Sequence, residues 1–508
     1  MLQTCCEDYE RARRVTFVEL LLAESPLDSS ATLAQSGVSE ETELLAIFSN
    51  RSVTSSSKSD APYDLNVPER AVVLNIPDET AEISDDAFAG CSSIVTLLMP
   101  PSVTSIGASA FFRCISLTSL TMPAVTRIGK EAFSRCSALR SLTIPDSVTS
   151  IGRGAFSGCA LTSLTLPDSV TLVEEGAFEG CRSLTSLTLS TSMLEIQCRS
   201  FSDCSSLVSL KIPDSVARIQ REAFSGCRSL ANLAIPESVT TIECRAFGAC
   251  DSLRSLRLPD SLTEISQEAF SGCRLLASLR LPQAVTDIGQ EAFNGCSSLT
   301  SLILPDSLTK IGQEAFAGCN SLTKLTIPCK VTKIVQEAFS GCSSLRSLSL
   351  PDSVTWIGSG AFSGCASLSS LTIPLSSAIA QEAFRGCGSL RQLTIPGASD
   401  IGQEAFSGCS SLTTLSLPDS VNSIGALAFN DCRSLRSLRI PESVRQIGRE
   451  AFSGCHALTS LSVPESATFI GAWAFKGCSS LATLTIPRGA SWRVCFPDCP
   501  SSCQVVRH

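Results

Sequence analysis

Phenylalanine, two further residues and a cysteine, nearly always with alanine in front, return every 22 or 23 residues from Phe88 to Phe475. The eighteen cysteines of that slot, Cys91 through Cys478, are separated thirteen times by 23 residues and four times by 22. A period of this length marks a stack of one small supersecondary unit rather than a set of globular domains. Such a unit cannot bury its own apolar side. Stacked on its neighbours it can, and each apolar slot becomes a continuous internal column. The expected architecture is a repeat solenoid.

Each unit has two parts. In "SLTKLTIP" the apolar positions are Leu322, Leu325 and Ile327, and the last two alternate as in a strand with one buried face. Pro328 ends the strand because it has no N–H to donate. In "VTKIVQEAFSGC" a short β-branched run gives way to a stretch expected to form one helical or 3₁₀ turn carrying Ala-Phe. The glycine before most of the cysteines suits a backbone that turns sharply into the next strand.

The line "SLxxLxIPxSVTxIGxxAFxGC" resembles the BspA-type leucine-rich repeat, also called the Treponema pallidum-type repeat, over about residues 70–488. The proline after the strand and the "IGxxAF" half set it apart from other leucine-rich repeats. The resemblance implies a leucine-rich-repeat-type parallel β coil with short helical or 3₁₀ turns, in about 18 repeats of 22–23 residues. It also implies adhesion or protein binding, often at cell surfaces.

Several features look chemical until they are placed in the repeat. A total of 26 cysteines would suggest a disulfide framework in a short secreted chain. In one repeat slot, however, the side chains point the same way and do not face each other. They are expected to be small, reduced, buried hydrophobes. Glu131, Glu222, Glu268, Glu291, Glu314, Glu337, Glu382, Glu404 and Glu450 precede Ala-Phe in a single slot. There a carboxylate would favour the start of a helical turn. A catalytic carboxylate pair occurs once, in divergent environments, so these read as a solvated ridge. "GRGAFSG" and "GSGAFSG" have the wrong spacing for a phosphate loop. Histidine is limited to His456 and His508. Cys495, Cys499 and Cys503 are spaced too loosely for an ordinary zinc site. No enzyme, cofactor or metal is expected.

The chain carries a net charge of −9 and a pI near 5.1, which argues against a nucleic-acid partner. No stretch of apolar residues is long enough to span a membrane, and "VTFVELLLA" is too short and polar for an export signal. A cytoplasmic monomer is expected, with the cell surface as the alternative if a signal precedes the sequence.

Residues 1–49 stand apart from the repeat. "RRVTFVELLLAESPLDSSATLAQSGVSEETELLAIFS" resembles the second half of a ubiquitin-like fold, with "TELLAIFS" as its closing strand. A fold-back cap for the solenoid is the other reading of this segment. Residues 50–66 form a Ser-rich linker, residues 67–488 the solenoid, and residues 489–508 a C-terminal cap or tail.

What varies between repeats points to function. Most copies carry Thr, Ser or Ala at the outward strand slots, whereas some carry a cation. These are Lys211, then Arg254, Arg257 and Arg280, then Arg346 and Arg391, and then Arg436 with Arg439. They would project from the concave face that repeat proteins commonly use for binding, and a solubilising decoration of an otherwise sticky Thr/Ser sheet is the other reading of them. The sequence therefore predicts a non-enzymatic scaffold that holds a protein partner on its strand face. The alternative is a cell-surface or extracellular adhesion protein of the BspA-like type.

Overall fold

The computed structural model describes residues 44–47, 72–374, 378–488 and 502–507. They fall into two units, Met1–Asp251 and Ser252–His508. Each unit is a wound chain whose coils contribute short parallel strands to ladders running from coil to coil. In the second unit Ser255–Arg257, Ser278–Arg280 and Ser301–Ile303 pair in register. A second ladder of two-residue strands contains Glu264–Ile265, Asp287–Ile288 and Lys310–Ile311. The first unit repeats the arrangement, with a five-stranded ladder of two-residue strands from Glu82–Ile83 to Leu172–Val173.

Sequence periodicity explains both ladders. In Ser278–Arg280 the central Leu279 is buried and its two neighbours are exposed, as a strand of period two demands. The recurring serine of the "PDSV" line has a structural task, since Ser307 Oγ donates to the Val285 carbonyl of the preceding coil at 2.6 Å.

The stretch carrying Ala-Phe departs from the helical or 3₁₀ turn expected for it: no helix occurs among the described residues. Alternate N–H groups take different partners. Ala315, Ala317 and Cys319 donate three residues back, to Gly312, Glu314 and Phe316. Glu314, Phe316 and Gly318 donate instead to Gln336, Ala338 and Ser340 of the next coil. A 3₁₀ helix would use every N–H locally. The alternation is made by two residues with left-handed backbone, Glu314 at φ +54° and Gly318 at φ +71°. The glutamate slot is therefore a left-handed position rather than a helix start, and the dipole argument for it falls.

The core is built from columns. In the first unit eight phenylalanine rings, Phe88 to Phe247, stack with centroids 5.0–5.6 Å apart. In the second, ten rings from Phe270 to Phe475 do the same at 5.3–5.6 Å. Each buried ring contributes roughly 1.5–3 kcal/mol of transfer free energy. The thiols form a second column. Cys319 is fully buried, and its Sγ donates to the Phe293 carbonyl one coil earlier at 3.6 Å. Among the described residues no cysteine is joined in a disulfide.

Two strands lie at the ends of the repeat. Leu44–Ile47, expected within the closing strand of the ubiquitin-like segment, pairs in parallel with Val72–Asn75. Gln504–Arg507 pairs in parallel with Thr483–Ile486. The rest of the ubiquitin-like segment and the whole of the linker, together with Cys495 and Cys499, lie outside the described residues.

Candidate protein-binding face

A coil presents three outward sides: the three-residue strand, the two-residue strand, and the turn that carries the glutamate slot. The strand side offers three outward positions per coil. Two flank the buried central leucine, and one precedes the strand. Threonine suits the preceding position because its hydroxyl can cap the coil before it, as Thr300 Oγ1 does on the Ala277 carbonyl at 3.0 Å.

All the predicted cations are exposed on this side. Lys211, Arg257, Arg280 and Arg439 lie on the strands themselves, each just after the buried leucine. Arg254, Arg346, Arg391 and Arg436 stand one residue ahead of their strands rather than on them. Arg257 and Arg280 are brought together as paired residues of adjacent strands. Arg439 is partly neutralised by Asp419 at 3.6 Å, a surface pair worth under ~1 kcal/mol.

Sequence reading missed two further cations on this side, Arg140 and Lys324, and it missed the larger pattern. Over the eighteen coils the three outward strand positions hold ten Lys or Arg and no Asp or Glu. They hold no aromatic residue either. Eight of the ten cations belong to the second unit. Acidic residues begin only beyond the strand-ending proline, as at Asp260, Asp306 and Asp352. Aligning the coils slot by slot makes this visible, whereas scanning for arginines does not.

A groove of about 450 Å³ opens beside the arginine pair. Leu256, Leu258, Leu281 and Pro282 form its apolar floor and wall, while Arg257, Arg280, Asp260 and Gln283 supply its polar edge. The next residue in the Arg257–Arg280 row is Ile303, which is 54% exposed.

The other chemically suggestive groups are committed to structure. Gln313 Nε2 donates to Glu314 Oε1 at 3.0 Å, and the same neighbour bond recurs at Gln290–Glu291 and Gln381–Glu382. The Gln381 amide, aided by Arg385, holds the Glu382 carboxyl below its usual range against the effect of burial. Such a group is a poor proton donor at neutral pH. His456 Nδ1 meets the Gly477 carbonyl at 2.7 Å, which requires the proton on that nitrogen and ties the ring to the next coil. Burial pushes the Cys342 thiol up to about 12, so it is not a nucleophile. Among the described residues no group of His, Cys, Asp and Glu is placed to hold a metal ion, and no helix is long and apolar enough to cross a membrane.

Parallel coils, a one-leucine strand side and a proline-ended repeat define a leucine-rich-repeat solenoid. The chain belongs to the BspA type leucine rich repeat region family, whose model matches residues 71–185, 149–277, 264–387 and 377–501. No curated protein matches the sequence. Among solved structures it is similar to a leucine-rich repeat protein from Bacteroides ovatus. That match is 26% identical, covers 86% of this chain and 92% of the other, and has a TM-score of 0.46. A leucine rich cell surface protein from Faecalibacterium prausnitzii is 28% identical over 65% of this chain and 80% of its own, with a TM-score of 0.36. The T. pallidum leucine rich repeat protein is 28% identical over 41% and 78%, with a TM-score of 0.27.

Proposed function

We propose that the protein is a non-enzymatic interaction scaffold that engages a protein partner along its three-residue strand side. The observation that carries this reading is the division of labour within the coil. The slots that repeat are spent on the Phe and Cys columns and on coil-to-coil bonds. The strand side carries exposed side chains that differ from coil to coil, and repeat proteins bind through such surfaces. Membership of the family supports a protein-interaction or surface role.

The test places bulk on one side at a time. Ser347→Trp with Ser370→Trp obstructs the strand side, where both serines are exposed. Lys310→Trp with Lys333→Trp puts the same bulk on the two-residue ladder, where Trp356 already stands 43% exposed. A partner captured from the native source by the full chain should be lost with the first pair and retained with the second. Retention with the first pair and loss with the second contradicts the proposal.

A second reading, adhesion at a cell surface, rests on the family and on the Faecalibacterium protein's description as a cell surface protein. The thiols separate the two locations. A full count of free thiols in protein from its native source supports a reducing compartment, whereas extensive oxidation supports display outside the cell.

A further inference from the structure

We propose that the strand side of the second unit is built for an acidic, extended polypeptide segment, anchored at Arg257, Arg280 and Ile303. This inference rests on the strand-side reading above and specifies the partner's chemistry.

The first argument is sign. A chain of net charge −9 places ten cations and no acid at its outward strand positions. Random decoration of an acidic protein would put carboxylates there as well. A surface of one sign attracts and orients a partner of the other.

The second argument is local geometry. Arg257, Arg280 and Ile303 are register partners on three adjacent parallel strands. Neighbouring strands lie about 4.8 Å apart, so the row spans roughly 10 Å, the length of about three extended residues. Guanidinium groups pair with carboxylates through two parallel N–H bonds. An acidic residue held by the arginine pair would therefore set an apolar residue two or three positions later over Ile303. The groove beside the pair has a leucine and proline floor that could seat a side chain.

The third argument concerns the rim. Six of the eleven coils of this unit follow the strand's proline with Asp or Glu, whereas the Arg280 coil has Gln283. The groove then carries two arginines against the single carboxylate of Asp260.

Nucleic acid fits this face less well. Single strands are held by aromatic stacking, and no aromatic residue occupies any outward strand position. Duplex DNA carries a charge about every 1.7 Å, far denser than ten cations spread over eighteen coils.

The test is fluorescence anisotropy with the full chain and a short peptide of alternating Glu and Ser closed by Leu. Binding is expected at low ionic strength and should weaken as salt rises. Arg257→Glu with Arg280→Glu should weaken it by at least about tenfold. Lys310→Glu with Lys333→Glu makes the same change in net charge on the other ladder and should leave binding within about twofold. The neutral pair Arg257→Ala with Arg280→Ala should fall between, and unchanged circular dichroism shows that all variants fold. Equal loss in both charge-reversed pairs would reduce the effect to net charge and overturn the proposal. Equal binding of a Lys-for-Glu peptide, or tighter binding of an oligothymidylate, would also overturn it. If the acidic peptide fails to bind while strand-side tryptophans still block the native partner, the charge inference falls and the strand-side reading stands.

Discussion

Cys319 and Phe293 are joined across a coil boundary, the buried Sγ of the first lying 3.6 Å from the main-chain carbonyl that accepts its hydrogen bond. The same bond links Cys342 to Phe316 at 3.5 Å and Cys365 to Phe339 at 3.6 Å. The thiol thus adds a second hydrogen bond to a carbonyl that already accepts the cysteine N–H of its own turn, as Phe293 does from Cys296. Column thiols should accordingly be inert in the native state. Under mild alkylation near neutral pH, exposed Cys329 is expected to label first among the described cysteines and Cys319 only after denaturation. Peptide mapping of the alkylated protein checks this, and native labelling of Cys319 would contradict it.

Burial also makes stability depend on alkaline pH. Cys136, Cys204, Cys342 and Cys387 are each pushed up to about 12 by desolvation, against an ordinary value of 9.0. Between those values the unfolded chain releases protons that the folded chain retains, so stability falls as pH rises. The slope approaches about 1.4 kcal/mol per pH unit for each such thiol. Below about pH 9 these thiols contribute no slope. The denaturant midpoint is expected to decline steeply above that point, and a midpoint that stays level to about pH 11 would contradict the account.

Glu314 has a positive φ, and Gly154, Gly176 and Gly360 fill the same slot in other coils with positive φ. Glu314→Gly is therefore expected to leave the midpoint unchanged or raise it. A β-branched residue suits this conformation worst, so Glu314→Val should cost about 1–2 kcal/mol. Chemical denaturation of the two variants reads both effects. Were the segment a helical turn, the order would reverse, with the glycine variant the less stable.

Phe316 stacks between Phe293 and Phe339 with both centroid separations at 5.4 Å. Truncation in Phe316→Ala removes a fully buried ring from rigid neighbours and should cost about 3–5 kcal/mol. In a linear repeat the loss should stay near its origin, with hydrogen exchange accelerating in adjacent coils and little changed several coils away. Uniform acceleration along the chain would contradict that locality.

Much of this architecture is legible in one unit of sequence. Leu325 and Ile327 mark the buried face of a strand, Pro328 its end, and the period dictates stacking. The turn was harder to read, because Ala-Phe preceded by glutamate satisfies the local rules for a helical start. What defeats those rules is tertiary: the N–H groups of Glu314, Phe316 and Gly318 find carbonyls on the next coil. The candidate face was legible only in part. Arginine at 257 and 280 announces itself, whereas the absence of acids is visible only after the coils are aligned, and an exposed isoleucine at 303 reads as core until its register is known.

Which side of the coil meets the partner can be measured within a single repeat. A photo-crosslinking residue is placed in turn at Thr326, Lys333 and Gln336, exposed respectively on the strand, the two-residue ladder and the turn. Each variant of the full chain is irradiated with material from the native source, and the adducts are identified by mass spectrometry. The account predicts one recurrent protein adduct from position 326 and none from 333 or 336. Recurrent adducts from 333 or 336, with none from 326, would contradict it.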